Sequence, residues 1–155
     1  MQCPCRSGQL YSTCCGRFIQ QSEIPSCPQS LMRSRYTAFA LADGQYLFHS
    51  WHESTRPDLG SLDLTDDPQH WIGLQILGHK LSDEQHGEVE FIAYSCVGGA
   101  LYQLRERSDF LCEQGKWYYV SGDIHPQSGK IKNAANLPCP CLSGKKFKKC
   151  CARLD

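Results

Sequence analysis

At 155 residues, 41% of them hydrophobic, the chain is long enough for one core of ordinary size with small appendages. Sixteen Lys and Arg balance sixteen Asp and Glu, which excludes a global electrostatic pull toward nucleic acid and leaves only local charge to act. No stretch approaches the roughly 20 apolar residues of a bilayer span, so no membrane insertion is expected; eleven cysteines behind a start that lacks the regions of a signal peptide read as metal ligands in a reducing cytoplasm.

The first predicted element is a cysteine cluster over residues 1–19. Cys3, Cys5, Cys14 and Cys15 form the pattern C-x-C-x8-C-C, two close pairs separated by a loop, which is how tetrahedral zinc sites usually draw their four ligands. Pro4 bends the first pair, Ser7-Gly8 supplies a turn whose hydroxyl and N–H groups can donate to sulfur, and a helical turn returns the adjacent Cys14-Cys15. All four positions are cysteine, so no coordination site is left for water and a structural ion is expected. Only Arg6 and Arg17 are cationic here, which predicts a docked structural knuckle.

Residues 20–26 read as a linker into a domain over 27–126. Ser26 is expected to cap a helix with Pro28 in its first turn, whose face carries Leu31, Arg35, Ala38, Phe39 and Ala42, with Met32, Tyr36 and Ala40 beside it. Asp43-Gly44 interrupts that helix and opens a second, which buries Tyr46, Leu47 and Trp51; 55–68 is polar and loop-like. Past Trp71 the period becomes two: Ile72, Leu74 and Ile76; Val89, Phe91 and Ala93; a Gly98-Gly99 turn into Tyr102 and Leu104; and a Gln114-Gly115 turn into Trp117 and Tyr119. Two helices and then four antiparallel strands predict an α+β domain with a curved sheet packed over helices.

If Gln114-Gly115 is a two-residue turn, register places Phe110 opposite Tyr119 and Glu106 opposite Asp123. Two carboxylates on a partly buried face repel, so one holds a proton or a cation such as Arg35, Arg33 or His52 bridges them. An alternative function arises from this: an enzyme or small-ligand binder using a cavity around Glu106 and Asp123, with His52 as partner and Tyr119 or Arg35 orienting a substrate. The plainer expectation is an ion pair between Arg35 and Glu106 that ties helix to sheet.

The C-terminal element, 137–155, repeats the first. Cys139, Cys141, Cys150 and Cys151 keep the spacing, and Pro140, Ser143, Gly144 and Arg153 recur where Pro4, Ser7, Gly8 and Arg17 stand, predicting a second zinc ion. Four thiolates around zinc leave roughly two excess negative charges. Lys145, Lys146, Lys148, Lys149 and Arg153 exceed what offsetting them requires, so this knuckle is expected to present a basic surface to a protein or ribosome-type partner, with nucleic acid as a further class.

The run from Cys139 to Cys151 resembles the SEC-C motif, the zinc module at the C-terminus of the SecA translocase motor. Leu142, and Arg6 in the first copy, replace that motif's usual glycine after the second cysteine, and Cys15 and Cys151 stand where histidine is often the last ligand. With Leu31-Met32-Arg33-Ser34-Arg35-Tyr36, Trp51-His52, Trp71-Ile72-Gly73-Leu74, Glu106-Arg107-Ser108 with Phe110, and Trp117-Tyr118-Tyr119, the chain resembles the YchJ family of bacterial proteins. That resemblance implies a cone-shaped middle domain like those of nuclear transport factor 2 relatives. Asp109 departs from the family pattern, which usually has arginine there.

Overall fold

The computed structural model describes residues 1–154. Its architecture is α+β, a few helices over a curved antiparallel sheet with a cysteine cluster at each end of the chain. A short helix α1 (Gly16–Ile19) completes the first cluster, α2 (Pro28–Ala40) and α3 (Gly44–His49) come next, and strands β1 (His70–Leu81), β2 (His86–Val97), β3 (Ala100–Glu113) and β4 (Lys116–Ile124) form a meander in spatial order. A two-residue β5 (Gly129–Lys130), unforeseen in the sequence, pairs with β3.

The helix boundaries depart from expectation in small ways. Pro28 occupies the first turn, where its missing N–H is no loss, but the capping position belongs to Cys27 in extended conformation and not to Ser26. The helix ends at a Schellman cap: Ala42, at φ 56°, donates to the Phe39 carbonyl and Asp43 to the Ala38 carbonyl. Ala42 therefore closes the helix instead of extending its buried face. Asp43 then starts α3, its carboxylate accepting from the Tyr46 N–H at 3.0 Å.

Both predicted hairpins are present, with positive φ at Gly98 and Gly99 and at Gln114 and Gly115, the backbone sense that matches strand twist. Three bulges change the strand register beyond them, two in β1, at Ile72 and Leu77, and one in β4; the first and the last bear on the sites. In β1, Trp71 pairs with Ser95 and Gly73 with Tyr94, leaving Ile72 as the extra residue. Ile72 therefore packs with Cys96, Leu101 and Phe147 against the C-terminal knuckle, while Trp71, Leu74 and Ile76 face the main core. In β4 the extra residue is Val120, between the pairs Asp109 with Ser121 and Phe110 with Tyr119. The segment after α3 fastens on there: Tyr119 exchanges backbone hydrogen bonds with Ser50 and His52, and the Thr55 hydroxyl donates to the Val120 carbonyl.

The main core joins Leu31, Met32 and Tyr36 of α2 to Val89, Phe91, Ala93, Phe110 and Trp117 of the sheet, and includes all four N-terminal cysteines. The sulfurs of the first knuckle are thus part of the core.

Candidate metal centres and a central cavity

The two cysteine clusters superpose bond for bond along the sequence. Cys3 donates to the Gln9 carbonyl and Cys139 to that of Lys145, both at 2.9 Å; Arg6 donates to the Cys3 carbonyl and Leu142 to that of Cys139, both at 3.1 Å. Ser7 lies 3.2 Å from the Cys14 sulfur, as Ser143 does from that of Cys150, and each hydroxyl accepts an N–H two residues on. Short 3-10 turns, Tyr11–Thr13 and Phe147–Lys149, return the adjacent cysteine pairs.

Within each quartet all four sulfurs lie within 4.8 Å of one another. Thiolates ~2.3 Å from a shared tetrahedral centre stand about 3.8 Å apart. Cys5 and Cys14 are 3.7 Å apart, Cys141 and Cys150 3.5 Å, and Cys150 and Cys151 4.0 Å. Disulfides need ~2 Å, and all these cysteines are free thiols. The donor set and its spacing fit a tetrahedral metal ion in both clusters.

The sulfurs compete for protons as closely spaced thiols must. Hydrogen bonds from Cys15 and Cys3 push the Cys5 thiol far down, while hydrogen bonds with Cys3 and Cys5, and then burial, push Cys15 up. In the second cluster burial raises Cys141, but Ser143, Cys150 and Cys139 outweigh it and bring it down to about 6; burial and Cys139 raise Cys151. A divalent cation would replace these shared protons.

Arg6 at φ 61° and Leu142 at φ 66° occupy the left-handed region of the backbone that favours glycine. A side chain there strains the backbone, so Arg6→Gly or Leu142→Gly is expected to stabilise its knuckle by about 0.5–1 kcal/mol, read as a higher metal affinity in a chelator competition. Arg6 has a compensating bond, its Nε donating to the Ile72 carbonyl at 3.2 Å, whereas Leu142 is exposed, so the larger gain is expected at Leu142.

The knuckles differ in setting. The N-terminal sulfurs are at most 8% exposed, and α2 reaches into them: the Arg33 guanidinium donates to the Cys5 carbonyl at 3.1 Å and its sulfur at 3.7 Å, and the Thr37 hydroxyl lies 3.8 Å from the Cys3 sulfur. Sequence reading missed both, because the contacts span 28 and 34 residues and no local pattern announces them. The C-terminal knuckle is also docked, through buried Phe147, the Cys96 thiol on the Cys151 carbonyl, and Pro140 over Gly73. A Cβ on Gly73 would meet the Pro140 carbonyl oxygen at 2.5 Å. Its lysines do not touch sulfur; Lys145, Lys146, Lys148 and Lys149 are all exposed and, among the described residues, form no ion pair.

Between α2 and the sheet lies a cavity of about 260 Å³, lined in part by Arg35, Trp51, Trp71, Phe91, Glu106 and Tyr119. The bulge at Val120 corrects the predicted carboxylate pair. Glu106 now faces Ile124, and Asp123 turns to the opposite face, where it pairs with Arg107 at 2.6 Å. His52 also lies outside the cavity, bonded to Glu113 and Ser54. Nor does Arg35 pair with Glu106: its Nη1 donates to the Leu47 carbonyl at 2.9 Å and the Ser50 hydroxyl at 2.7 Å, and its guanidinium lies over the rings of Tyr119 and Trp51. Glu106 accepts instead from Ser108 at 2.6 Å. Burial lowers Arg35 to about 10 against the opposing pull of Tyr119, Tyr46 and Glu106, so it stays charged at neutral pH. Of the five cavity candidates, Arg35, Glu106 and Tyr119 meet there and His52 and Asp123 do not.

Comparison with known proteins agrees with this architecture. Residues 27–122 match the family described as YchJ, middle NTF2-like domain, and residues 136–153 match the SEC-C motif. A SEC-C motif-containing protein from Rhodopseudomonas palustris, with a solution structure, is 33% identical at a TM-score of 0.73, covering 79% of this chain and 98% of its own. A SEC-C motif-containing protein from Psychrobacter arcticus, with a crystal structure, is 25% identical at a TM-score of 0.69, covering 99% of this chain and 96% of its own.

Proposed function

The chain belongs to the YchJ family and carries that family's NTF2-like middle domain with a SEC-C motif, and from that premise we propose that it is a zinc-binding interaction protein. One zinc ion sits in each knuckle, Cys3, Cys5, Cys14 and Cys15 holding the first and Cys139, Cys141, Cys150 and Cys151 the second. Four thiolates suit zinc, and a closed set suits a structural ion. The cytoplasm, where thiols stay reduced, is the fitting compartment. Metal analysis of protein purified under reducing conditions tests this; substantially less than one zinc per knuckle with thiols intact would sink it.

The observation that carries the interaction reading is the lysine face. Four exposed lysines, without an ion pair among the described residues, surround Phe147, which is buried and pins the knuckle to the sheet, so the charges are displayed on an anchored base. A macromolecule with an acidic surface, a protein or a ribosome-type particle, fits it. The N-terminal knuckle, drawn into the core, has no such face. Replacing Lys145, Lys146, Lys148 and Lys149 together with alanine is expected to abolish capture of the partner from lysate at low salt while both zinc ions and the melting temperature are kept. Unchanged capture would overturn the assignment. Where the partner is an RNA, affinity falls by roughly 0.7 logarithmic units per phosphate contact for each tenfold rise in salt, so a salt titration identifies that class.

A further inference from the structure

The cavity holds two opposite charges that do not bond each other. Arg35 is only 3% exposed, and among the described residues its hydrogen bonds all leave from Nη1, so Nε and Nη2 have no protein acceptor. Glu106 is anchored by Ser108 through one oxygen, and its side chain lies so close over Gly122 that a Cβ there would meet the Glu106 carboxyl carbon at 2.5 Å. The indole N–H of Trp71, on the same wall, is buried and unpartnered. Everything else around the space is mostly aromatic or aliphatic. Arg35 thus has donors to spare beside the unpartnered Trp71 N–H, and an apolar chamber with a few convergent polar groups is the usual form of a small-molecule site.

We propose that this cavity binds a small, flat, uncharged molecule with a carboxamide or ring lactam at its polar end. The carbonyl accepts from Arg35, the N–H turns toward Glu106, and the ring packs among the aromatic walls. Arg35 and Glu106 line the same cavity, so a carboxylate would gain the guanidinium only against repulsion from Glu106, a cost that an uncharged amide does not meet. The volume limits the ligand to one ring or a short chain.

Titrating the full-length, zinc-loaded protein with benzamide, benzoate and toluene, and monitoring the three indole N–H resonances, tests this. Benzamide is expected to shift the signals of Trp51 and Trp71 saturably and to leave that of Trp117, which does not line this cavity, in place. Benzoate and toluene are expected to bind at least about tenfold more weakly, a difference of ~1.4 kcal/mol. Glu106→Gln keeps the shape and removes the negative charge, so it is expected to erase the preference for benzamide over benzoate. No saturable shift with benzamide, equal binding of toluene, a wild-type preference for benzoate, or a preference unchanged by Glu106→Gln would each overturn the proposal. The ligand series on the unaltered protein stands if that variant fails to fold.

Discussion

Cys5→Ser is expected to abolish cooperative unfolding of the whole protein, whereas Cys141→Ser is expected to leave a folded middle domain of reduced stability. The asymmetry comes from where the sulfurs sit. Cys5 is fully buried in the cluster that contains Leu31, Met32, Tyr36 and the inner face of the sheet, with Arg33 and Thr37 of α2 turned toward its quartet. Losing the proposed ion there would leave three thiols in the core with the Arg33 guanidinium beside them. Apparent zinc-binding energies of ~10–16 kcal/mol are as large as the ~5–15 kcal/mol that typically holds a domain together. Cys141 is half-buried in a satellite cluster. Its loss uncovers chiefly Phe147 and Ile72, at about 1.5–3 kcal/mol each when fully exposed. Circular dichroism melts of both variants with zinc counts check this; equal loss of stability would show that the two knuckles support the fold alike.

Arg35→Ala is expected to cost about 3 kcal/mol, but Arg35→Met no more than about 1 kcal/mol. The arginine side chain fills the space between α2, α3 and β4, lying over Trp51 and Tyr119, and alanine would leave a hole with the Leu47 carbonyl short of a donor. Methionine restores most of the volume and removes a cation that burial has stripped of water without giving it a bonded carboxylate. Denaturant midpoints of the two variants decide the matter. If methionine costs as much as alanine, the charge holds the fold; if it does not, the fold carries a charge it does not need, as binding sites do.

Much of the architecture is legible in the sequence because it is encoded locally. The quartets announce themselves by spacing, the hairpins by Gly98-Gly99 and Gln114-Gly115, and α3 by Asp43. The errors come from single residues whose effect propagates. Val120 and Ile72 are ordinary β formers, and nothing about valine or isoleucine marks a bulge, yet each moves the residues beyond it to the other face. That is why Asp123 lies outside the cavity while Phe110 and Tyr119, on the turn side of the bulge, meet as expected. Arg33 and Thr37 escape sequence reading because a helix places them against a knuckle distant in sequence.

Trp71, Ile72 and Gly73 are consecutive, and each belongs to a different neighbour: Trp71 walls the cavity, the Ile72 carbonyl accepts from Arg6 of the first knuckle, and Gly73 lies under Pro140 of the second. The bulge at Ile72 lets one strand touch all three. A ligand that displaces Trp71 on occupying the cavity is expected to alter the metal affinity of the knuckles by some factor, and loading them is then expected to alter the affinity of the cavity by the same factor.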